Sequence, residues 1–528
     1  MSYFSHYSRN SFDEQPYLHF VFGVLFGLRT VRINHGCAII VSINFLSEMF
    51  WLLILICIFF IFVSFVLFTF IKYWIRNRAK TLLPQLRETS ATREKTVVVG
   101  FFHPYCNAGG GGERVLWVAI RSLQNRYPNV KCLVYTGDFE ASGEEILYKA
   151  RQRFNITLPK PVEFVFLRSR NWVEARKYPI FTLLGQSLGS VVLGWEALMA
   201  YVPDIYIDSM GYAFTLPLFK YLGGSIVGCY VHYPTISTDM LQRVSDRETG
   251  FNNASIVTRS SFLTSIKLLY YRMFAYCYGL AGSRSDTVMV NSTWTYGHIK
   301  SLWGVGDKAV IVYPPCDISE FMKIDLTDKQ NSHVQSILSV AQFRPEKNHR
   351  LQLEGFCKFL EKYSKKEKSK YKLILVGGCR DQKDSQRVEE LRKLADELNI
   401  KDYVEFKLNV SFEDLKSMMA EATIGLHTMR DEHFGIGVVE MMAAGLVTLA
   451  HDSAGPKLDI LTPYDGQSTG YLASDKETYA DSMENIFNLS QKQSLDIREN
   501  ARKSVTRFSE SEFEQGFNSV VEPLLKLN

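Results

Sequence analysis

Twenty-one consecutive residues, Trp51 to Ile71, carry no charge and almost no polarity. As a helix the run spans roughly 31 Å, against about 30 Å for the hydrocarbon core of a bilayer. A secretory signal would be shorter, nearer the terminus and followed by small residues. The run therefore reads as a single transmembrane helix. Lys72, Arg76, Arg78 and Lys80 crowd its C-terminal flank, while the nearest upstream cations are Arg29 and Arg32. Positive charge collects on the cytosolic side, so everything after residue 72 is expected there. Nine cysteines without a CxxC pair argue against a disulfide framework or a zinc ribbon and fit the same reducing compartment. On that side the sequons at Asn155, Asn253, Asn291 and Asn488 are chance matches. The shorter apolar runs Tyr17–Leu28 and Cys37–Leu46 are too short to span alone and are expected in the interface or as a hairpin.

The remaining length exceeds one ordinary core, so two or three domains are expected. A net charge of +5 over 528 residues makes no case for nucleic acid. After a polar connector at about 80–95 comes Thr96-Val97-Val98-Val99-Gly100-Phe101-Phe102, the compact run of a buried parallel strand. A loop with the tetraglycine Gly109–Gly112 and an amphipathic run from Glu113 to Leu123 follow, the opening of a βαβ unit. Further strands are expected at Val130–Tyr135, Val162–Leu167, Ile205–Ile207, Ser225–Tyr230 and Val288–Val290, the last of this half. Pro314 and Pro315 in Val312–Asp317 mark a hinge. A second alternation places strands at Ser336–Ala341, Tyr371–Val376, Tyr403–Leu408 and Thr423–His427, with helices such as Asp384–Leu398 and Phe412–Glu421 between. The expected fold is α/β: two Rossmann-like parallel-sheet domains facing across a cleft, behind an N-terminal transmembrane helix. The boundaries are an N-terminal membrane-associated extension at 1–45, anchor and basic flank at 46–80, a first domain at 95–312, a second at 318–505 and a terminal helix at 506–528.

The chemistry concentrates in Glu432-His433-Phe434-Gly435-Ile436-Gly437-Val438-Val439-Glu440. The glycines let backbone N–H groups approach a ligand, and the helix that follows favours negative charge at its start. Glu432 and Glu440 are eight apart, so both can face one cleft if the helix begins early. A sugar joined to a phosphate suits this arrangement, the phosphate taking N–H groups and the carboxylates taking hydroxyls. Upstream, Ser339–Ala341 ends a strand and delivers Arg344 and Lys347 to the loop where ligands sit. Two cations there stabilise a diphosphate as ligand and as departing group. The tetraglycine lacks the Gly-Lys-Ser/Thr ending of a P-loop and the last glycine of GxGxxG, which leaves a loop for close approach of a sugar diphosphate. His232, after another strand, is expected to face the cleft. With no Asp-x-Asp and no metal-spaced cluster, no metal and no cofactor are expected. Phe181–Tyr201 and Phe262–Leu280, where Tyr270, Tyr271, Phe274, Tyr276 and Tyr278 interleave with Lys267 and Arg272, suit a membrane interface or core helices equally.

These residues resemble the retaining GT-B glycosyltransferases marked by Glu-x7-Glu, here Glu432 and Glu440, with Arg344 and Lys347 upstream. Together with His103–Trp117 and Tyr230–Pro234 they resemble, more narrowly, the α-1,2-mannosyltransferases of asparagine-linked glycosylation. The likeness runs from about residue 95 to the end, and the first 45 residues have no counterpart in the pattern. It implies retaining transfer of mannose from GDP-mannose in α-1,2 linkage, as the fourth and fifth mannoses, to a dolichol-diphosphate oligosaccharide. It further implies an endoplasmic reticulum membrane protein, single-pass, with catalytic domains on the cytosolic face, in a complex with other mannosyltransferases of the pathway. Glu440 would bind the ribose of GDP, while Glu432 and the N–H groups of Phe434, Gly435 and Ile436 would hold mannose hydroxyls. Arg344 and Lys347 would hold the diphosphate, His232 would sit at the reacting face, and Gly110, Gly111 and Gly112 would close over the diphosphate. The final helix, about Glu510–Leu527, would cross back onto the first domain. The alternatives are a GT-B enzyme with another nucleotide sugar or lipid acceptor, and a membrane-anchored scaffold without catalysis.

Overall fold

The computed structural model describes residues 35–81, 96–240, 261–326 and 334–527. The run Tyr17–Leu28, the connector near 82–95 and the sequon at Asn253 lie outside them. Two compact units divide at Ile71. Helix α1 (His35–Thr81) carries the apolar run, and its stretch Glu48–Arg78 is long and apolar enough to cross a bilayer, with its most apolar part unburied. Cys37–Leu46, expected as a separate interfacial run or hairpin, belongs to this same helix. Neither glycine nor proline interrupts the chain between Ala38 and Thr81, so nothing stops the helix. Within the second unit Ile75 is buried, and Arg76 Nε donates to the Gly223 carbonyl at 3.1 Å.

The first half is a seven-stranded sheet, all parallel, in the order β3-β2-β1-β4-β5-β6-β7. Its strands are β1 (Val97–Phe102), β2 (Val130–Thr136), β3 (Glu163–Phe166), β4 (Ile205–Asp208), β5 (Ile226–Val231), β6 (Thr287–Val290) and β7 (Ala309–Ile311). Between them run α2 (Gly111–Arg126), α3 (Gly143–Phe154), α4 (Thr182–Ala200), α5 (Ser261–Gly282) and α6 (Thr293–Trp303). All six residues of β1 are buried, as a strand covered by helices on both faces requires. β6 is not the last strand: β7 adds an edge beyond it, three residues that are too few to show a pattern.

The second half has six parallel strands in the order β10-β9-β8-β11-β12-β13. They are β8 (Gln335–Val340), β9 (Tyr371–Gly377), β10 (Val404–Leu408), β11 (Ile424–Leu426), β12 (Val447–His451) and β13 (Tyr471–Ala473). The helices are α7 (His349–Leu360), α8 (Gln382–Glu397), α9 (Phe412–Glu421), α10 (Ile436–Ala443), α11 (Lys476–Phe487) and α12 (Gln491–Val505). The expected four strands become six, because β12 continues the apolar composition of α10 without a change of period and β13 is three residues long. Both sheets reverse direction of winding between their first strand and the strand that follows the third, at β1/β4 and at β8/β11. Ligands of doubly wound sheets bind beyond the strand ends at that point.

The chain crosses between the halves twice, side by side. Outbound Cys316 donates its N–H to the Phe508 carbonyl of the returning chain at 2.9 Å. Helix α13 (Glu510–Lys526) then packs on the first half, where Phe513, Phe517, Val521 and Leu524 join Leu116, Trp117 and Ile120 in one core. Glu510 accepts from Arg114 and Arg121, both at 2.7 Å, which orients α13 along α2.

Candidate active site

The loops after β8 and β11 set one constellation. The 3-10 turn Pro345–Lys347 ends on Asn348 at a φ of 49°, a left-handed conformation that asparagine tolerates, and this turns Lys347 back towards the strand ends. Thr428 Oγ1 donates to the Lys347 and Asn348 carbonyls at 3.0 and 3.1 Å, locking the turn to the end of β11. Lys347 Nζ donates to the Glu432 carboxylate. His427, the residue after β11, places Nε2 3.2 Å from the same carboxylate. Burial alone would raise the Glu432 pKa, but His427 and Lys347 overcome it and hold the carboxyl well below its ordinary range.

Facing these groups is the first half. His232, just after β5, sits with Nε2 3.1 Å from the Ser209 carbonyl. A carbonyl only accepts, so Nε2 carries the proton and Nδ1 is the acceptor of the neutral ring. Burial lowers its pKa to about 4, opposed by the Ser209 carbonyl and assisted by His433. His103, just after β1, meets Ser209 Oγ at 2.9 Å, and burial with His232 nearby lowers it to about 3.

The tetraglycine bends above the two histidines. Ala108 and Gly110 donate their N–H groups to the Glu113 carboxylate, which spends those donors inside the loop. Burial raises Glu113 to about 6 despite these bonds and the Arg153 charge. Gly111 and Gly112, the first two residues of α2, stay at the cavity wall. A Cβ on Gly111 would lie 2.9 Å from Ile436 Cδ1 of the second half, so the residue lets the halves approach.

Gly111, Gly112, His232, Lys347, Glu432, Phe434, Gly435 and Ile436 thus line one cavity of about 310 Å³. Gly435 has φ +116° and precedes α10, whose N-terminus opens on the cavity. Phe434 turns its ring into the core against Tyr313 and Phe508, at 5.7 and 5.2 Å between centroids. Gly110, Arg344 and Glu440 are not in the lining. Arg344 reaches towards Glu346 at 3.8 Å. Helix α10 begins at Ile436, so Glu432 precedes it and the helical spacing between the two glutamates does not apply. Glu440 instead lies where burial raises its pKa to about 7, with Arg114 opposing and Asp317 assisting the rise.

His427, Tyr233 and His433 also line the cavity and were not among the expected site residues. His427 carried one signal, its place at the end of a strand. Tyr233 and His433 each follow an expected site residue, and their rings stack across the two halves at 5.2 Å between centroids and 18° between planes.

Two facing parallel-sheet halves with the site at both reversal points define a GT-B glycosyltransferase. Solved structures share the fold: Anabaena Alr3699/HepE in complex with UDP and glucose (TM-score 0.54, 16% identity, covering 81% of this chain and 99% of that one). A UDP-forming α,α-trehalose-phosphate synthase from Burkholderia xenovorans aligns with TM-score 0.58 at 10% identity, over 81% of this chain and 99% of that one. At such identities the likeness is one of fold. In sequence, "ALG11 mannosyltransferase N-terminus" matches residues 96–303 and "Glycosyl transferases group 1" matches residues 327–504. A Homo sapiens protein named GDP-Man:Man(3)GlcNAc(2)-PP-Dol alpha-1,2-mannosyltransferase is 58% identical over 84% of this chain and 90% of its own length. The Dictyostelium discoideum protein of that name is 50% identical over 81% and 85%. The chain belongs to the ALG11 mannosyltransferase family.

Proposed function

We propose that the chain transfers mannose from GDP-mannose in α-1,2 linkage, with retention, to Man(3)GlcNAc(2)-PP-Dol, adding the fourth and fifth mannoses. One observation carries this beyond kinship: Lys347, Glu432 and His427 at the end of one sheet face His232, Gly111 and Gly112 at the end of the other across one cavity.

The donor's diphosphate meets Lys347 and the N-termini of α2 and α10, whose free N–H groups and dipoles favour anions. In this reading Arg344 joins them once the nucleotide is bound, Gly110 keeps the loop in shape, and Glu440 takes the ribose. Glu432, ionised through Lys347 and His427, accepts bonds from mannose hydroxyls. The bond from the anomeric carbon to the diphosphate breaks, and the acceptor oxygen bonds to the same face. Its proton passes to the leaving phosphate oxygen, which gains negative charge that Lys347 stabilises. We take the step to need no divalent cation, because cationic and dipolar groups already meet the diphosphate.

The acceptor is lipid-linked, and α1 supplies a membrane anchor of fitting length. Exposed Ile180, Leu188, Leu269, Met273 and Tyr276 on or beside α4 and α5, with Lys267 among them, suit a bilayer surface. Phe181 and Tyr270 join the two helices, 5.2 Å apart between centroids. We place the chain in the endoplasmic reticulum membrane as a single-pass protein with both halves cytosolic, in company with other mannosyltransferases of the pathway. Its domains would run over residues 95–312 and 318–505, with 506–528 returning to the first.

The test incubates the full chain in detergent with Man(3)GlcNAc(2)-PP-Dol and either GDP-mannose or UDP-glucose. Products one and two hexoses heavier, from GDP-mannose alone and removable by an α-1,2-mannosidase, are expected. Transfer from UDP-glucose only, or from neither donor, overturns the reading.

A further inference from the structure

The transfer step described above leaves the aromatic pair across the cavity, Tyr233 and His433, without a role. Tyr233 belongs to the first half and is 53% exposed, although its ring stacks on His433 of the second half. His433 in turn meets Trp294 of α6 at 5.3 Å between centroids, and Trp294 rests on His298 at 4.2 Å. Thr238 Oγ1 holds His298 Nδ1 at 2.7 Å. One side of Tyr233 is therefore backed by a braced row of rings, while the remainder of the side chain opens on the cavity that Glu432 and His232 line. A rigid aromatic left half-exposed in a polar site is a place to bury apolar surface of a ligand.

Pyranose rings offer such surface. Their C–H faces are apolar and their hydroxyl edges polar, which fits an aromatic plane beside Glu432, His232 and Asn291. Position selects between the two sugars of the reaction. Lys347, His427 and the N-terminus of α10 cluster on the second half around Glu432, and this is the donor side. Tyr233 comes from the opposite wall, one residue beyond His232, which leaves it to the sugar that the donor side does not hold.

We propose that Tyr233, backed by His433, is the stacking platform for the terminal mannose of the acceptor oligosaccharide. The proposal rests on the mannosyl-transfer reading above. The platform holds the acceptor ring by its C–H face and so turns one hydroxyl edge towards the anomeric carbon of the donor. Each transfer leaves a terminal mannose of the same shape, so the platform serves both additions.

The experiment compares wild type with Tyr233→Phe, Tyr233→Leu and Tyr233→Ala, measuring KM for Man(3)GlcNAc(2)-PP-Dol and for GDP-mannose separately, with GDP binding as a check on folding. Loss of one aromatic stacking partner should raise the acceptor KM roughly ten-fold in the Ala and Leu variants. Tyr233→Phe should stay within about two-fold of wild type, since it keeps the ring. The GDP-mannose KM and GDP binding should not move. Tyr233→Leu fills the volume without a π face, so it separates stacking from packing. An unchanged acceptor KM in Tyr233→Leu, or a rise confined to the donor KM, overturns the platform. A wild-type chain that transfers no mannose defeats the parent reading instead.

Discussion

Lys347 and Glu432, 85 residues apart in sequence, meet at the ends of β8 and β11 as a donor and acceptor pair. His427 completes the set on the same carboxylate at 3.2 Å. The pair faces the first half across the cavity, so in the proposed reading the cation offered to the departing diphosphate is held in place by the carboxylate offered to the sugar.

Replacing His427 with Ala should leave Glu432 held by Lys347 alone. Its carboxyl loses one of the two groups that oppose burial, so its pKa rises. Turnover should fall about ten-fold or more, because a partner of a buried charged group is gone. Steady-state kinetics with GDP-mannose checks this, and a kcat equal to wild type contradicts it.

Glu440 gives a stability signature with a definite sign. Burial pushes its pKa up from the ordinary 4.5 to about 7. Between those values the folded state binds the proton that the unfolded state has released, so this group's contribution to stability declines as pH rises through the window. Glu440→Gln removes the titration. Nucleotide-free melts should show the variant gaining on wild type at pH 8 and matching it near pH 4.5. Equal differences at both pH values would refute the assignment.

Gly111 tests the approach of the halves. Ala at this position favours the helix by about 1 kcal/mol, yet its Cβ would press Ile436 Cδ1 at 2.9 Å. Gly111→Ala should therefore melt no lower than wild type but turn over more slowly. Adding Ile436→Val, which removes the δ carbon, should recover most of the loss. Failure of the double variant to recover places the defect elsewhere.

The anchor should separate from the catalytic halves at a defined residue. Deleting residues 1–71 removes the first unit and spares Ile75 and Arg76, which pack on the second. GDP binding should persist while flotation with membranes weakens strongly. Deletion to residue 80 should also lower the melting temperature, since it strips the buried Ile75 and the bond to Gly223. Loss of GDP binding in the shorter deletion contradicts the separation.

Much of the scaffold was visible in one dimension. The run Val97–Phe102 is buried on both faces, and that leaves a continuous apolar signature. Three-residue β7 and β13 leave none. Lys347 and His232 were legible because each follows a strand end, and Glu432 because a glycine turn and an apolar helix follow it. Other roles were set by side-chain contacts that the order of strands and motifs does not reveal. Glu113 takes N–H groups of the glycine loop that were expected to face a phosphate. Arg344 turns towards Glu346, and the start of α10 at Ile436 puts Glu440 outside the cavity that holds Glu432. Tyr233 and His433 acquire meaning only when two halves bring them face to face.

The most direct test of the account is mannose transfer by Lys347→Ala in the full chain, measured with GDP-mannose and Man(3)GlcNAc(2)-PP-Dol beside a melting curve. Loss of the charge that stabilises the leaving diphosphate should lower turnover by about 10²–10³, in a protein that stays folded. Transfer at the wild-type rate by a folded Lys347→Ala would contradict the account.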